Sequence, residues 1–179
     1  MLFENNNLSV RLLEEKDKTW LVKWLSDPKV LQYYEGRDRP FDLALVGEKF
    51  FSNNQAVNRC IVLYDGKPIG YIQFYLVEGK EREEYGYLSQ SEIIYGTDQF
   101  IGEVDFWNRG IGKLLVSSIV DFLTKDRKAH KIVMDPQTWN ERAIACYEKC
   151  GFQKVKLLPL REYHEGTYRD CWLMEYDAK

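Results

Sequence analysis

Residues 105–116 read DFWNRGIGKLLV. Two glycines one residue apart follow an arginine and open an apolar run. From Gly110 onward Ile111, Leu114, Leu115, Ile119, Val120, Phe122 and Leu123 recur at spacings of three and four, the period of an amphipathic helix. A glycine inside a helix costs roughly 1 kcal/mol relative to alanine, so two in the first turn do not serve helix stability. That turn carries the unpaired N–H groups and the positive end of the dipole. Bare backbone at Gly110 and Gly112 lets an anion approach those groups, and Arg109 and Lys113 add positive charge. Two readings stand on this stretch alone: a phosphate or pyrophosphate cradle, or a tight turn packed under a neighbour. The GxxxxGK[ST] spacing of a P-loop is absent, and so is the third glycine of a dinucleotide fingerprint.

Working outward, strands and helices alternate. LSVRLLE (8–14) alternates as a strand. EKDKTWLVKWLSD (15–27) gathers Trp20, Leu21, Trp24 and Leu25 on one helical face, Pro28 opens a short helix to about Tyr34, and 41–52 forms another. RCIVLYDGKPIGYIQFYLVEG is two strands around Asp65-Gly66. Residues 81–91, EREEYGYLSQS, are expected to be an irregular acidic excursion, and the charge run at 78–84 a solvated surface. A strand over 91–103 precedes the glycine-bearing helix (110–126). KIVMDP (131–136) is a short buried strand, NERAIACYEKCGF (140–152) a helix stopped at Gly151, and FQKVKLLP and 168–176 the final strands. The order predicts an α/β fold with a mixed sheet, in which 92–102, 110–126 and 131–135 form a right-handed βαβ unit. The glycine turn then lies at the carboxyl end of a strand, where open α/β sheets bind ligands.

Bulk properties set bounds. The 179 residues are expected to make one domain over 1–179, and 45% apolar content suffices for one core. A net charge of −3 argues against nucleic acid as partner. The N-terminal stretch lacks a basic, apolar leader pattern and no run approaches a membrane span, so a cytoplasmic protein is expected, with no membrane partner. Cys60, Cys146, Cys150 and Cys171 form no CxxC pair and histidines number two, so reduced thiols and no metal are expected.

The strand, GIG turn and helix, followed by NERAIACYEKCGF, resemble the GCN5-related N-acetyltransferases (GNAT). GTDQFIGEVDFWNRGIGK, MDPQTWNERAIACYEKCGF, RDCWLMEY, LVKWLSDPKVLQYYEGRD and KPIGYIQFYLV are together similar to the aminoglycoside 6'-N-acetyltransferases, among them the acetyltransferase half of bifunctional acetyltransferase–phosphotransferases. The likeness covers nearly the whole chain. It implies a mixed, mostly antiparallel sheet with a splayed central strand pair and flanking helices, with acetyl-CoA as co-substrate and no metal. The family's Gln/Arg-x-x-Gly-x-Gly/Ala pattern is Trp107-Asn108-Arg109-Gly110-Ile111-Gly112 here, and Trp107 departs from it.

The resemblance implies a role for each site residue. Arg109, Gly110, Ile111, Gly112, Lys113 and Leu114 hold the pyrophosphate; Phe100, Ile101, Gly102 and Asn140 hold the pantetheine arm. An N–H near Gly102 is a candidate oxyanion donor. Asp98, in GTDQ, is the base or amine-orienting group. With an aspartate near 3.9 and an amine several units higher, full transfer to an unperturbed Asp98 is uphill by roughly 7 kcal/mol for a five-unit gap, so orientation, late transfer or a water relay all stay open. Tyr147 is the acid toward the CoA sulfur, uphill by only about 2 kcal/mol for unperturbed groups. The polycationic substrate calls for carboxylates and flat aromatic surfaces. Tyr34, Gln73, Tyr75, Asp98, Asp135 and Asp170 are the substrate-binding candidates, with Glu35 and Asp38 in the covering loop. A polyamine or protein N-terminal acetyltransferase and a non-catalytic acyl-CoA sensor are the alternatives. A monomer is expected.

Overall fold

A computed structural model describes residues 1–179. Eight strands join one mixed sheet in the order β1-β2-β3-β4-β5-β6-β8-β7. They are β1 (Phe3–Asn5), β2 (Leu8–Leu12), β3 (Val57–Tyr64), β4 (Lys67–Leu76), β5 (Ile94–Ile101), β6 (Lys131–Met134), β7 (Gln153–His164) and β8 (Thr167–Asp177). The helices are α1 (Lys18–Trp24), α2 (Pro28–Leu31), α3 (Leu43–Phe50), α4 (Gly79–Tyr85), α5 (Ile111–Lys125) and α6 (Glu141–Lys149). The α/β expectation holds. Three features differ from the sequence reading. β1 was not foreseen; it forms a hairpin with β2 through Asn6, whose φ of 53° is left-handed. The expected irregular excursion is in part the helix α4, stopped at Gly86. The last hairpin is longer than drawn, with a register shift between Leu158 and Glu162.

Pairing explains why the sheet is mixed. β1–β2, β2–β3, β6–β8 and β7–β8 are antiparallel. β4 and β5 are antiparallel too: Gly102 N donates to Ile69 O at one end and Val77 N to Ile94 O at the other. β5–β6 is the parallel pair joined through α5, and its register takes in only Ile94, Tyr95 and Gly96. β6 ends at Met134 while β5 runs on to Ile101.

Contacts group the chain into two compact units, Met1–Gln73 with Gln99–Leu114, and Phe74–Asp98 with Leu115–Lys179. The boundaries cut β4, β5 and α5, so neither unit owns these elements whole. The core of the first unit gathers Leu21, Trp24, Leu25, Leu31, Phe41, Val46, Phe50, Ile61 and Tyr71, all buried. Trp24 and Leu21 come from the helical face read in the sequence. The second unit packs Val77, Tyr85, Ile94, Val133, Leu158, Cys171 and Leu173 together. Burying an aliphatic or aromatic side chain of this size contributes roughly 1.5–3 kcal/mol.

Candidate active site

The glycine turn lies in the first unit. Asn108 and Gly110 both have positive φ, 59° and 76°. Two positive-φ residues this close bend the chain sharply just before α5, and turns of this kind can present backbone N–H groups to an anion. A Cβ on Gly110 would meet nothing within 4 Å. The glycine is therefore required by its backbone angle and not by a neighbour at its Cβ. α5 starts immediately after, with Leu114 N donating to Gly110 O at 3.0 Å. Arg109 and Lys113 are exposed, and the Arg109 guanidinium lies 5.4 Å from the Phe106 ring centre. Gly112 and Leu114 are half-buried and Ile111 is anchored in the core. The residues present fit a pyrophosphate: bare backbone, helix N-terminus and two flanking cations.

Trp107 has a clear local task. Its indole Nε1 donates to Ile101 O at 2.8 Å, and its ring meets Tyr33 edge-on at 5.9 Å. The departure from the family pattern thus ties the turn to the end of β5. Gly102 gives a correction. Its N–H already donates to Ile69 O at 2.8 Å, and Glu103 N reaches the same oxygen at 3.0 Å. This amide is committed to the β4–β5 ladder, so it is not the oxyanion donor. Phe100 packs under Tyr34 at 4.6 Å between ring centres and beside Tyr71 at 5.7 Å. Tyr71 OH in turn donates to Gln73 Oε1 at 2.7 Å, fixing that amide on β4.

The second unit holds the carboxylates. Asp98 lies near the end of β5, half-buried. It acts electrostatically on Tyr75, together with Glu81 and Asp135, and burial is the larger cause of that phenol's raised pKa. Tyr75 OH donates to Glu81 Oε1 at 3.3 Å. Its phenol end packs against Gly96: a Cβ there would come within 2.6–2.8 Å of it. Asp135 follows β6 and accepts from Tyr85 OH at 3.0 Å. Burial pushes the Asp135 carboxyl up, against the Tyr85 hydrogen bond and the nearby Arg161. Tyr75, Asp98 and Asp135 are thus brought together. Asp170 is engaged elsewhere, its Oδ1 accepting from Leu160 N at 2.8 Å.

Sequence reasoning left Glu81 and Glu84 in a solvated acidic run and missed Tyr85, Gly96 and Arg161. The helix α4 turns Glu81 and Tyr85 inward, four residues apart on one face, while Glu78, Lys80 and Glu83 stay exposed as the solvated-surface reading expects. Gly86, with φ 86°, was the available signal, since a glycine after KEREEY is a helix stop.

α6 carries the remaining candidates. Asn140 is its N-cap, Oδ1 accepting from Ala143 N at 3.3 Å. Tyr147 is half-buried, its ring 6.1 Å from Phe152. The four cysteines are free thiols, and burial raises Cys60 to about 12. No group of three His, Cys, Asp or Glu is arranged to hold a metal ion. No helix is long and apolar enough to cross a membrane.

The model of the acetyltransferase (GNAT) domain matches residues 14–160, and the chain belongs to this family of acyltransferases. Relatives narrow the likeness. Aminoglycoside N(6')-acetyltransferase type 1 of Klebsiella pneumoniae is 31% identical over 159 residues, covering 84% of this chain and 76% of that one. The solved structure of aminoglycoside acetyltransferase AAC(6')-Ib in complex with coenzyme A superposes with a TM-score of 0.77 at 28% identity, covering 96% of this chain and 95% of the other. The same enzyme with coenzyme A and kanamycin gives 0.77 at 27% over the same shares.

Proposed function

We propose that the protein transfers the acetyl group of acetyl-CoA to the 6'-amine of aminoglycoside antibiotics, and so confers resistance. One observation carries the reading: 31% identity to an aminoglycoside N(6')-acetyltransferase over 84% of the chain. The cluster of Tyr75, Glu81, Tyr85 and Asp135 agrees with it chemically, since phenol rings beside carboxylates are what a polyamine sugar needs.

The residue roles follow. The turn at Asn108–Gly110 and the first turn of α5 hold the pyrophosphate, with Arg109 and Lys113 flanking; Phe100, Ile101, Gly102 and Asn140 line the pantetheine arm. Acetyl-CoA supplies an activated thioester. Asp98 orients the amine so that its lone pair faces the carbonyl carbon, and takes a proton once attack has made the nitrogen acidic. Tyr147 donates to the departing sulfur as the carbon–sulfur bond breaks. Tyr34, Gln73, Tyr75 and Asp135 bind the sugar rings, and Asp170 acts by shaping the neighbouring strand. A monomeric, cytoplasmic, single-domain enzyme is consistent with this role.

The class is tested by thiol release from acetyl-CoA with kanamycin, spermidine and a short peptide as acceptors. Turnover with kanamycin is expected. Turnover only with spermidine or only with the peptide would replace the substrate and keep the chemistry. Acetyl-CoA binding with no turnover would make the protein a sensor.

A further inference from the structure

The acidic cluster already contains a cation. Arg161 Nη1 lies 2.5 Å from Glu84 Oε2, Nε 3.4 Å from Asp135 Oδ2 and Nη2 3.4 Å from Tyr85 OH. The guanidinium sits 5.2 Å from the Tyr85 ring centre. An aromatic face flanked by two carboxylates is the surface a substrate ammonium would occupy. Arg161 therefore stands where a ligand cation belongs.

Its placement is built into β7. The β7–β8 register shifts between Leu158 and Glu162. Leu160, inside that irregularity, has φ 48°, and its amide is held by Asp170 Oδ1 at 2.8 Å. Asp170 thus positions the bulge that aims Arg161. The grip on Asp135 is a single long contact and not the two-pronged fork that makes arginine–carboxylate pairs strong. The shorter contact goes to Glu84, whose side chain is 40% exposed, so the guanidinium can leave Asp135 without losing its main partner.

We propose that Arg161 is a resident counter-cation that sets substrate specificity: it lies against Asp135 and must yield that carboxylate to a substrate ammonium group. It disfavours substrates in proportion to the amines they bring there. This rests on the reading of the substrate as a polycationic amine.

The test compares wild type with Arg161→Gln and Arg161→Lys. The glutamine variant is expected to lower the KM for kanamycin roughly five- to tenfold, about 1–1.4 kcal/mol, with the KM for acetyl-CoA reporting an intact fold. The lysine variant, which keeps the charge without the guanidinium's separate donors to Glu84, Asp135 and Tyr85, is expected to change less. An unchanged or raised kanamycin KM in Arg161→Gln, or a larger effect in Arg161→Lys, overturns the proposal. If wild type releases no thiol with kanamycin, the functional reading fails by itself. Calorimetric titration of spermidine into wild type and Arg161→Gln then decides the role of Arg161: tighter binding to the variant supports it, equal or weaker binding overturns it.

Discussion

Asp98 and Asp135 are both carboxylates of the second unit, and their surroundings separate their tasks. Asp98 is half-buried near the end of β5, the strand that leads into the glycine turn. Asp98→Asn should reduce kcat by roughly 10²–10⁴-fold, the usual contribution of a positioned acid or base, with little change in acetyl-CoA affinity; steady-state kinetics beside calorimetric cofactor binding reads both. An unchanged kcat removes Asp98 from the chemistry. Asp135 is the binding carboxylate. Burial raises its pKa above that of a free aspartate, about 3.9. Protonation removes the charge that attracts an ammonium, so kanamycin KM should rise as pH falls through this raised value, before an ordinary aspartate would titrate. Tyr85, Arg161, Tyr75, Glu81 and the Cys171 thiol are the charged and titratable neighbours, and Tyr85→Phe, which removes a hydrogen bond to the ionised form, should move the inflection upward. A KM profile that is the same in wild type and Asp135→Asn contradicts this assignment.

At the scale of elements, two short pieces of chain shape the site. The glycine turn depends on the left-handed backbone at Gly110. A side chain there costs about 1–2 kcal/mol and intrudes on the anion's approach, so Gly110→Val should weaken acetyl-CoA binding at least tenfold; normal affinity in calorimetry sinks the cradle. β5 depends on Gly96, because the Tyr75 ring lies where a Cβ would be. Gly96→Ala should raise kanamycin KM by displacing Tyr75 and leave the acetyl-CoA KM near wild type. The turn was legible in sequence because helix period, glycine spacing and flanking cations all act locally. α4 was not, since Arg82 and Tyr85 are its buried residues and give no apolar period, and only packing decides that Glu81 faces inward. Arg161 was illegible for the same reason at longer range: its direction follows from a register shift and from Asp170, ten positions after Leu160 in the chain. The Gly102 amide stays among the candidate donors in sequence because the sequence does not say that Ile69 takes it.

For the whole molecule, charge is the property that matters. The chain carries a net −3, and the carboxylates Glu81, Glu84, Asp98 and Asp135 lie in the second unit with Arg161 among them. A polycationic substrate should be drawn to such a field, and screening at higher ionic strength should weaken that attraction. Kanamycin KM is therefore expected to rise severalfold between about 0.01 M and 0.15 M salt, where the Debye length shrinks from about 30 to 8 Å, while kcat stays nearly constant. A flat salt response would place substrate recognition in uncharged contacts. The measurement that bears most directly on the central claim compares kcat/KM for kanamycin with that for an analogue carrying hydroxyl in place of the 6'-amine. The account predicts turnover with kanamycin and its loss with the 6'-hydroxyl analogue. Equal turnover of the two would mean that the acetyl group goes to another nitrogen, and would contradict it.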